Sequence, residues 1–150
     1  VASYIFNKFK LELAKGNVDL EAVDDVFKVA LVVSAAAFSA HVGTMADISA
    51  TWDTLSATWD ISNVSAYNST GYTSLGLSGC EVVQDDTNNR VRWTADNLTW
   101  NSATIDADGY VIFRASDGLM VAAGDKGAMQ SSTNGNFTLQ WDSNGILTIA

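Results

Sequence analysis

The stretch Asn136-Phe-Thr-Leu-Gln-Trp-Asp-Ser-Asn-Gly-Ile-Leu-Thr-Ile-Ala150 decides the fold class. Phe137, Leu139 and Trp141 alternate with Asn136, Thr138, Gln140 and Asp142, which at a side-chain period of two puts large apolar groups on one face and polar groups on the other. That is the pattern of a half-buried strand. Asp142-Ser143-Asn144-Gly145 then offers Asx hydrogen bonding and a glycine for a positive φ. The reading therefore has the chain reverse and return Ile146 to Ile149 as the partner strand of a hairpin.

Upstream the same alternation recurs in short pieces. Leu75 and Leu77, then Cys80 to Val83, are separated by Gly76 and Gly79. Val91, Trp93 and Ala95 lie between the turn clusters Asp85 to Asn89 and Asp96-Asn97, and Leu98, Trp100 and Ile105 continue the series. Asp106-Ala-Asp-Gly109 is expected to turn into Tyr110 to Arg114, Ser116-Asp-Gly118 into Leu119 to Ala123, and Gly124 to Gly135 to be a polar, glycine-rich connection. Strands at such intervals predict a mainly β protein, an antiparallel sandwich or barrel of jelly-roll-like kind. Phe27, Val29, Leu31 and Val33 alternate with Val26, Lys28, Ala30 and Val32. With apolar residues on both faces, this strand is expected to be central and covered on both sides.

Residues 3 to 15 carry the other period. Ser3 can cap a helix whose Phe6, Phe9 and Leu13 fall at i, i+3 and i+7, and Lys15-Gly16-Asn17 is a suitable stop. Such a short amphipathic helix either closes one end of the β-domain or forms an arm that docks on a neighbouring subunit. The chain of 150 residues, 47% hydrophobic, is long enough for one sizeable core. We expect a single domain over residues 1–150, with a helix or arm over 1–17 and a β body over 26–150.

Composition narrows the function classes. Seventeen acidic against 8 basic residues give a formal charge of −9, and no window concentrates Lys or Arg enough to neutralise a run of phosphates, so nucleic acid is not an expected partner. No apolar run reaches the ~18–20 residues of a membrane span, and Lys28 interrupts the nearest approach, Val26 to Phe38. No basic stretch followed by an apolar one and a cleavage site is read as a secretory signal. Cys80 is alone, which removes any intrachain disulfide and suggests a small core residue.

Candidate chemistry is sparse. His41 has no Ser, Asp or Cys partner at a recognisable spacing. The acidic connection over residues 18–25 and the Asp106-Ala-Asp108-Gly109 stretch lack the ligand spacing of a calcium loop. Asp85 and Asp86, adjacent on a turn, point apart and do not resemble a glycosidase pair. Neither a metal nor another cofactor is expected, and the chain does not read as an enzyme. Asn63, Asn68, Asn97 and Asn136 stand in Asn-x-Ser/Thr triplets, which matter only in a glycosylating compartment. Trp93, Trp100 and Trp141 alternate with polar residues as core aromatics do. Ser49-Ala-Thr-Trp-Asp53 recurs as Ser56-Ala-Thr-Trp-Asp60. In an extended chain that shift of seven puts Trp52 and Trp59 on opposite faces, one packed inward and the other free for contact.

Three stretches together resemble a family of small structural proteins of tailed bacteriophages: Phe6-Asn-Lys-Phe-Lys-Leu-Glu-Leu-Ala-Lys-Gly-Asn-Val-Asp-Leu20 leading into Val26 to Leu31; Val91-Arg-Trp-Thr-Ala-Asp-Asn-Leu-Thr-Trp-Asn-Ser-Ala-Thr-Ile105; and Ser131 to Ile149. Residues 34–69 depart from that pattern. The resemblance implies a helical start, a β-rich body and a virion component made in the bacterial host cytoplasm, and it supplies no catalytic residues. The expected role is a capsid decoration or cement protein. It would bridge major capsid protein subunits as a small cyclic homo-oligomer, a trimer being favoured, with contacts from Tyr4, Phe6, Trp52 and Trp59. A tail or neck component and a carbohydrate-binding module, using aromatic faces against sugar rings, are the alternatives.

Overall fold

The computed structural model describes residues 4–21, 25–32 and 69–150, with backbone alone at 125–127. Along the chain these form β1 (Tyr4–Ile5), α1 (Asn7–Ala14), β2 (Phe27–Val32), β3 (Ser69–Thr70), β4 (Leu75–Gly76), β5 (Glu81–Asp85), β6 (Arg90–Thr94), β7 (Leu98–Arg114), β8 (Met120–Leu139) and β9 (Leu147–Ile149). Among the described residues they make two antiparallel sheets. One has the order β1-β8-β7-β2-β4 with β3 also on β7, and the other is β5-β6-β9. Among the described residues the protein is mainly β, a two-sheet sandwich with one short helix near the N-terminal end, and not a closed barrel.

The larger sheet is organised around β7 and β8, which are long where short strands and turns were expected. The Asp106-Ala-Asp-Gly109 turn does not form. Gly109 is instead held from both sides, opposite Val32 of β2 and Asp125 of β8. Ladder bonds on both edges of a central strand outweigh the local turn preference of Asp and Gly. The irregularity falls on the partner: from Ala107↔Gln130 to Gly109↔Asp125, β8 uses five residues where β7 uses two. For the same reason Gly124 to Gly135 is part of β8 and not a free connection. The expected Ser116 to Gly118 turn is present, with Gly118 at φ 73 and its N–H donating to the Arg114 carbonyl at 2.8 Å.

β2 lies between β7 and β4 with Phe27, Val29, Ala30, Leu31 and Val32 buried, as its two apolar faces require. Opposite it stands Trp93 of the smaller sheet. Its ring meets Phe27 edge-on at 5.2 Å and 74°, and its indole N–H donates to the Leu20 carbonyl at 2.6 Å. This pair joins the two sheets. Trp100 is also buried, edge-on to Phe137 at 6.0 Å, with its indole N–H on the Thr73 carbonyl at 2.7 Å. Trp141, expected in the core, sits half-buried at its rim against Tyr110. Cys80 is also half-buried, and burial, with Asp96 nearby, raises its thiol pKa.

At the C-terminal end the turn forms as read and the hairpin does not. The Gly145 N–H donates to the Asp142 carbonyl and the Asn144 N–H to Asp142 Oδ1, both at 2.8 Å, with Gly145 at φ 85. Yet Leu147 to Ile149 pair with β6, while Phe137 and Leu139 remain on β7 opposite Trp100 and Leu98. Trp141 redirects the chain. Its backbone N–H donates to Asn97 Oδ1 at 3.0 Å and its indole N–H to the Asp96 carbonyl at 2.9 Å, fixing it at the corner between β6 and β7. From there the chain crosses to the other sheet, where Ile146 and Leu147 are buried and the Ile146 N–H donates to the Trp93 carbonyl at 2.7 Å.

Candidate interaction surface

The N-terminal segment is laid on the body by backbone pairing first. Tyr4 and Ile5 add to the edge of β8 opposite Ala123 and Ala122, and the Phe6 N–H donates to the Val121 carbonyl at 3.1 Å. The alanines leave room for this approach. As a result α1 starts at Asn7, later than the sequence suggested, with Phe6 at the N-cap position and no side-chain cap; Ser3 lies outside the described residues. Its end follows the expected stop. Gly16 at φ 74 donates its N–H to the Leu13 carbonyl and Asn17 donates to that of Glu12, a Schellman closure. The Asn17 carboxamide also donates to Glu12 Oε2 at 2.8 Å, which with Lys15 and Lys8 lowers the Glu12 pKa.

α1 buries Phe9 and leaves Leu11 48% exposed. Between this helix and β9 runs an open, apolar groove of about 380 Å³, lined by Ile5, Phe9, Leu13, Leu147 and Ile149, with Lys10 among its walls. Ile149 is 44% exposed, and among the described residues β9 is an edge strand of its sheet. A partner can therefore bury apolar side chains there and has an edge strand beside them. Of the four contact residues expected from sequence, Tyr4 is half-buried on β1 beside this region. Phe6 is 6% exposed and belongs to the chain's own core, so it is corrected from a contact to a packing residue. Trp52 and Trp59, with His41 and the repeated Ser-Ala-Thr-Trp-Asp, lie outside the described residues. The groove itself was not read from sequence. Leu147 and Ile149 alternate visibly about Thr148, but their place beside α1 depends on the crossing of the chain to β6.

The face of the smaller sheet that carries Asp85 is polar and tied together. Asp85 accepts from Arg90 Nε at 2.8 Å and from the Asn88 carboxamide at 2.9 Å, and these donors hold its carboxyl pKa down at about 2. Arg90 reaches on to Asn144 Oδ1 at 2.7 Å and Arg92 to the Ser143 carbonyl at 2.9 Å, so the Asp85–Asn89 turn is bound to the Asp142–Gly145 turn. Asp86 instead accepts from Gln84 at 2.6 Å, and the two neighbouring carboxylates have separate partners as their turn position suggested. Near the end of α1, Arg114 bridges Asp117 at 2.8 Å, Asp25 at 3.3 Å and the Asn17 carbonyl at 2.8 Å. That arrangement depresses the Asp117 pKa and raises that of Arg114, and it is a structural clasp.

A second, more enclosed cavity of about 190 Å³ lies where β8 bends, lined by Leu31, Tyr110, Gln130, Ser131, Asn136 and Phe137. Burial raises the pKa of the Tyr110 phenol to about 12. Its ring lies across Gly124, where an added Cβ would fall 2.1 Å from a ring carbon. Among the described residues no three His, Cys, Asp or Glu side chains cluster to hold a metal, and no helix is long and apolar enough to cross a membrane. No protein family, curated protein or solved structure matches this chain.

Proposed function

We propose that this chain is a non-enzymatic structural protein of a tailed-bacteriophage virion. In this reading it decorates the capsid and stabilises the lattice of the major capsid protein, and it associates with copies of itself as a small cyclic oligomer. The resemblance of its three sequence stretches suggests the class. The observation that carries the mode of action is the apolar groove between α1 and β9, lined by Ile5, Phe9, Leu13, Leu147 and the exposed Ile149, on an otherwise cross-braced two-sheet body. Apolar anchors of this kind dominate association between subunits. The net charge of −9 would also limit nonspecific binding to packaged DNA.

Antibody labelling of purified particles, beside a mass measurement of the isolated chain, tests the reading. Regular label over the head and a ring-sized mass are expected. Label confined to the neck or tail would transfer the same surface to the tail or neck alternative. The carbohydrate-binding reading is weaker in the described residues, because Trp93 and Trp100 are buried and Trp141 packs edge-on against Tyr110. It would return to first place if no particle carried label and glycans quenched the tryptophan fluorescence.

A further inference from the structure

The chain contains two Asn-Gly dipeptides, Asn134-Gly135 and Asn144-Gly145. Glycine after asparagine removes the side chain that would hinder attack of the next backbone nitrogen on the carboxamide carbon. Both are preceded by a small hydroxyl residue, Thr133 or Ser143, so their intrinsic chemistries are closely matched. Their surroundings are not.

Asn144 is locked on every side. Its carboxamide oxygen accepts from Arg90 at 2.7 Å, and its carboxamide nitrogen donates to Asp142 Oδ1 at 2.8 Å. The nitrogen that would attack, that of Gly145, donates to the Asp142 carbonyl at 2.8 Å. Gly145 is also pressed against the backbone of β6, where an added Cβ would lie 2.5 Å from the Trp93 carbonyl oxygen. Moving this nitrogen onto the Asn144 carboxamide would break the turn, its bond to Arg90 and its seat on Trp93 together.

At Asn134 the carboxamide is not held in this way. It is exposed, its backbone N–H donates to Thr104 Oγ1 at 3.0 Å, and no hydrogen bond to its carboxamide occurs among the described residues. At φ 48 it stands out of the extended conformation, and the pair Ala103↔Gly135 is isolated between register shifts on both sides. A single rung between two irregularities opens locally at less cost than an uninterrupted ladder. We propose that Asn134 is a site of spontaneous deamidation on the folded protein, and that the fold protects Asn144.

The reaction needs only water. The Gly135 nitrogen loses its proton to solvent and attacks Cγ of Asn134. The carboxamide nitrogen leaves as ammonia, and a succinimide ring closes. Water then opens either ring carbonyl, giving aspartate or isoaspartate with no change of oxidation state. Both products add a negative charge to β8, and isoaspartate also inserts a methylene into its backbone.

The test is to age the purified folded chain in mildly alkaline buffer made with heavy-oxygen water, then map the peptides by mass spectrometry. Isoaspartate methyltransferase labelling gives a second readout. Conversion at Asn134 is expected to exceed that at Asn144 by about tenfold or more, the ratio that a modest difference in barrier produces. In urea, where both environments are lost, the two rates should converge. Gly135→Ala should slow Asn134, and the structure accepts it, since the added Cβ meets only the Thr133 carbonyl at 3.6 Å. Arg90→Ala should speed Asn144 toward the rate of Asn134. Equal rates in the folded chain, or faster loss at Asn144, would overturn the proposal, as would a difference that persists in urea.

Discussion

The two sheets are held together in different ways. In the larger one the cohesion is apolar and built on small residues. Ala30, Ala103, Ala107, Ala122 and Ala123 are all buried, and twelve paired positions join β7 to β8. The smaller sheet has only three strands among the described residues, and three strands need a covered face to be stable. Trp93, Ile146 and Leu147 form its buried apolar face, and Phe27 of the other sheet packs on Trp93. Asp85, Arg90 and Arg92 supply a second, polar layer that ties two turns together. Small residues let a sheet pack closely on its neighbours. A small sheet needs one large anchor and a braced rim.

If that contrast is right, Trp93→Ala should have the largest effect. It removes the ring against Phe27 and the bond to Leu20, at a cost of about 3–5 kcal/mol in urea unfolding. Gly124→Ala probes the larger sheet. The new methyl group falls on the Tyr110 ring, so a loss of about 1–3 kcal/mol is expected, with a shift of the near-ultraviolet dichroism of Tyr110 and Trp141. Full stability in this variant would show that the two strands can separate locally.

The polar brace should appear in the pH dependence. The folded-state pKa of Asp85 lies at about 2, below the unfolded value of ~3.9. Its contribution is therefore complete above the unfolded value and is lost as the pH falls from there through the folded value. Asp85→Asn should flatten the acid limb of thermal stability over that window, leaving the neutral-pH core signals in place. An unchanged acid limb would move the brace elsewhere. The smallest effect is expected at Thr99→Ala, which removes an exposed cross-strand contact with Thr138 at 3.1 Å and should change stability by ~0.2–1 kcal/mol.

Much of this architecture can be read in the sequence wherever pattern and environment agree. The alternation in Phe27 to Val32, the Lys15-Gly16-Asn17 stop and the turns at 85–89 and 116–118 each find the structure that their local chemistry prefers. The errors share one physical origin. Asp106 to Gly109 and Gly124 to Gly135 have turn composition, but strands on either side hold the first in register and β7 holds the second. Ile146 to Ile149 carry a correct strand pattern, yet nothing in that pattern tells which sheet will accept them; the bonds of Trp141 to Asp96 and Asn97 decide it. The candidate surface was legible only in its helical half. Phe6 shows why: an apolar residue at helical spacing gives the same signal whether its face meets the chain's own core or a partner.

The place of β2 also sets an order of events during synthesis. Its β7 partners Gly109 to Arg114 come late in the chain, well after Leu75 and Gly76 of β4, whereas β7 and β8 adjoin through a short turn. The hairpin can close as soon as it leaves the ribosome. Phe27 to Val32, apolar on both faces, must wait through the translation of 82 further residues after Val32 to reach Arg114, on the order of ten seconds at ~5–20 residues per second. During that interval this strand, apolar on both faces, lacks its longest partner, β7, and there a holding chaperone or a slower codon would alter the yield of folded protein.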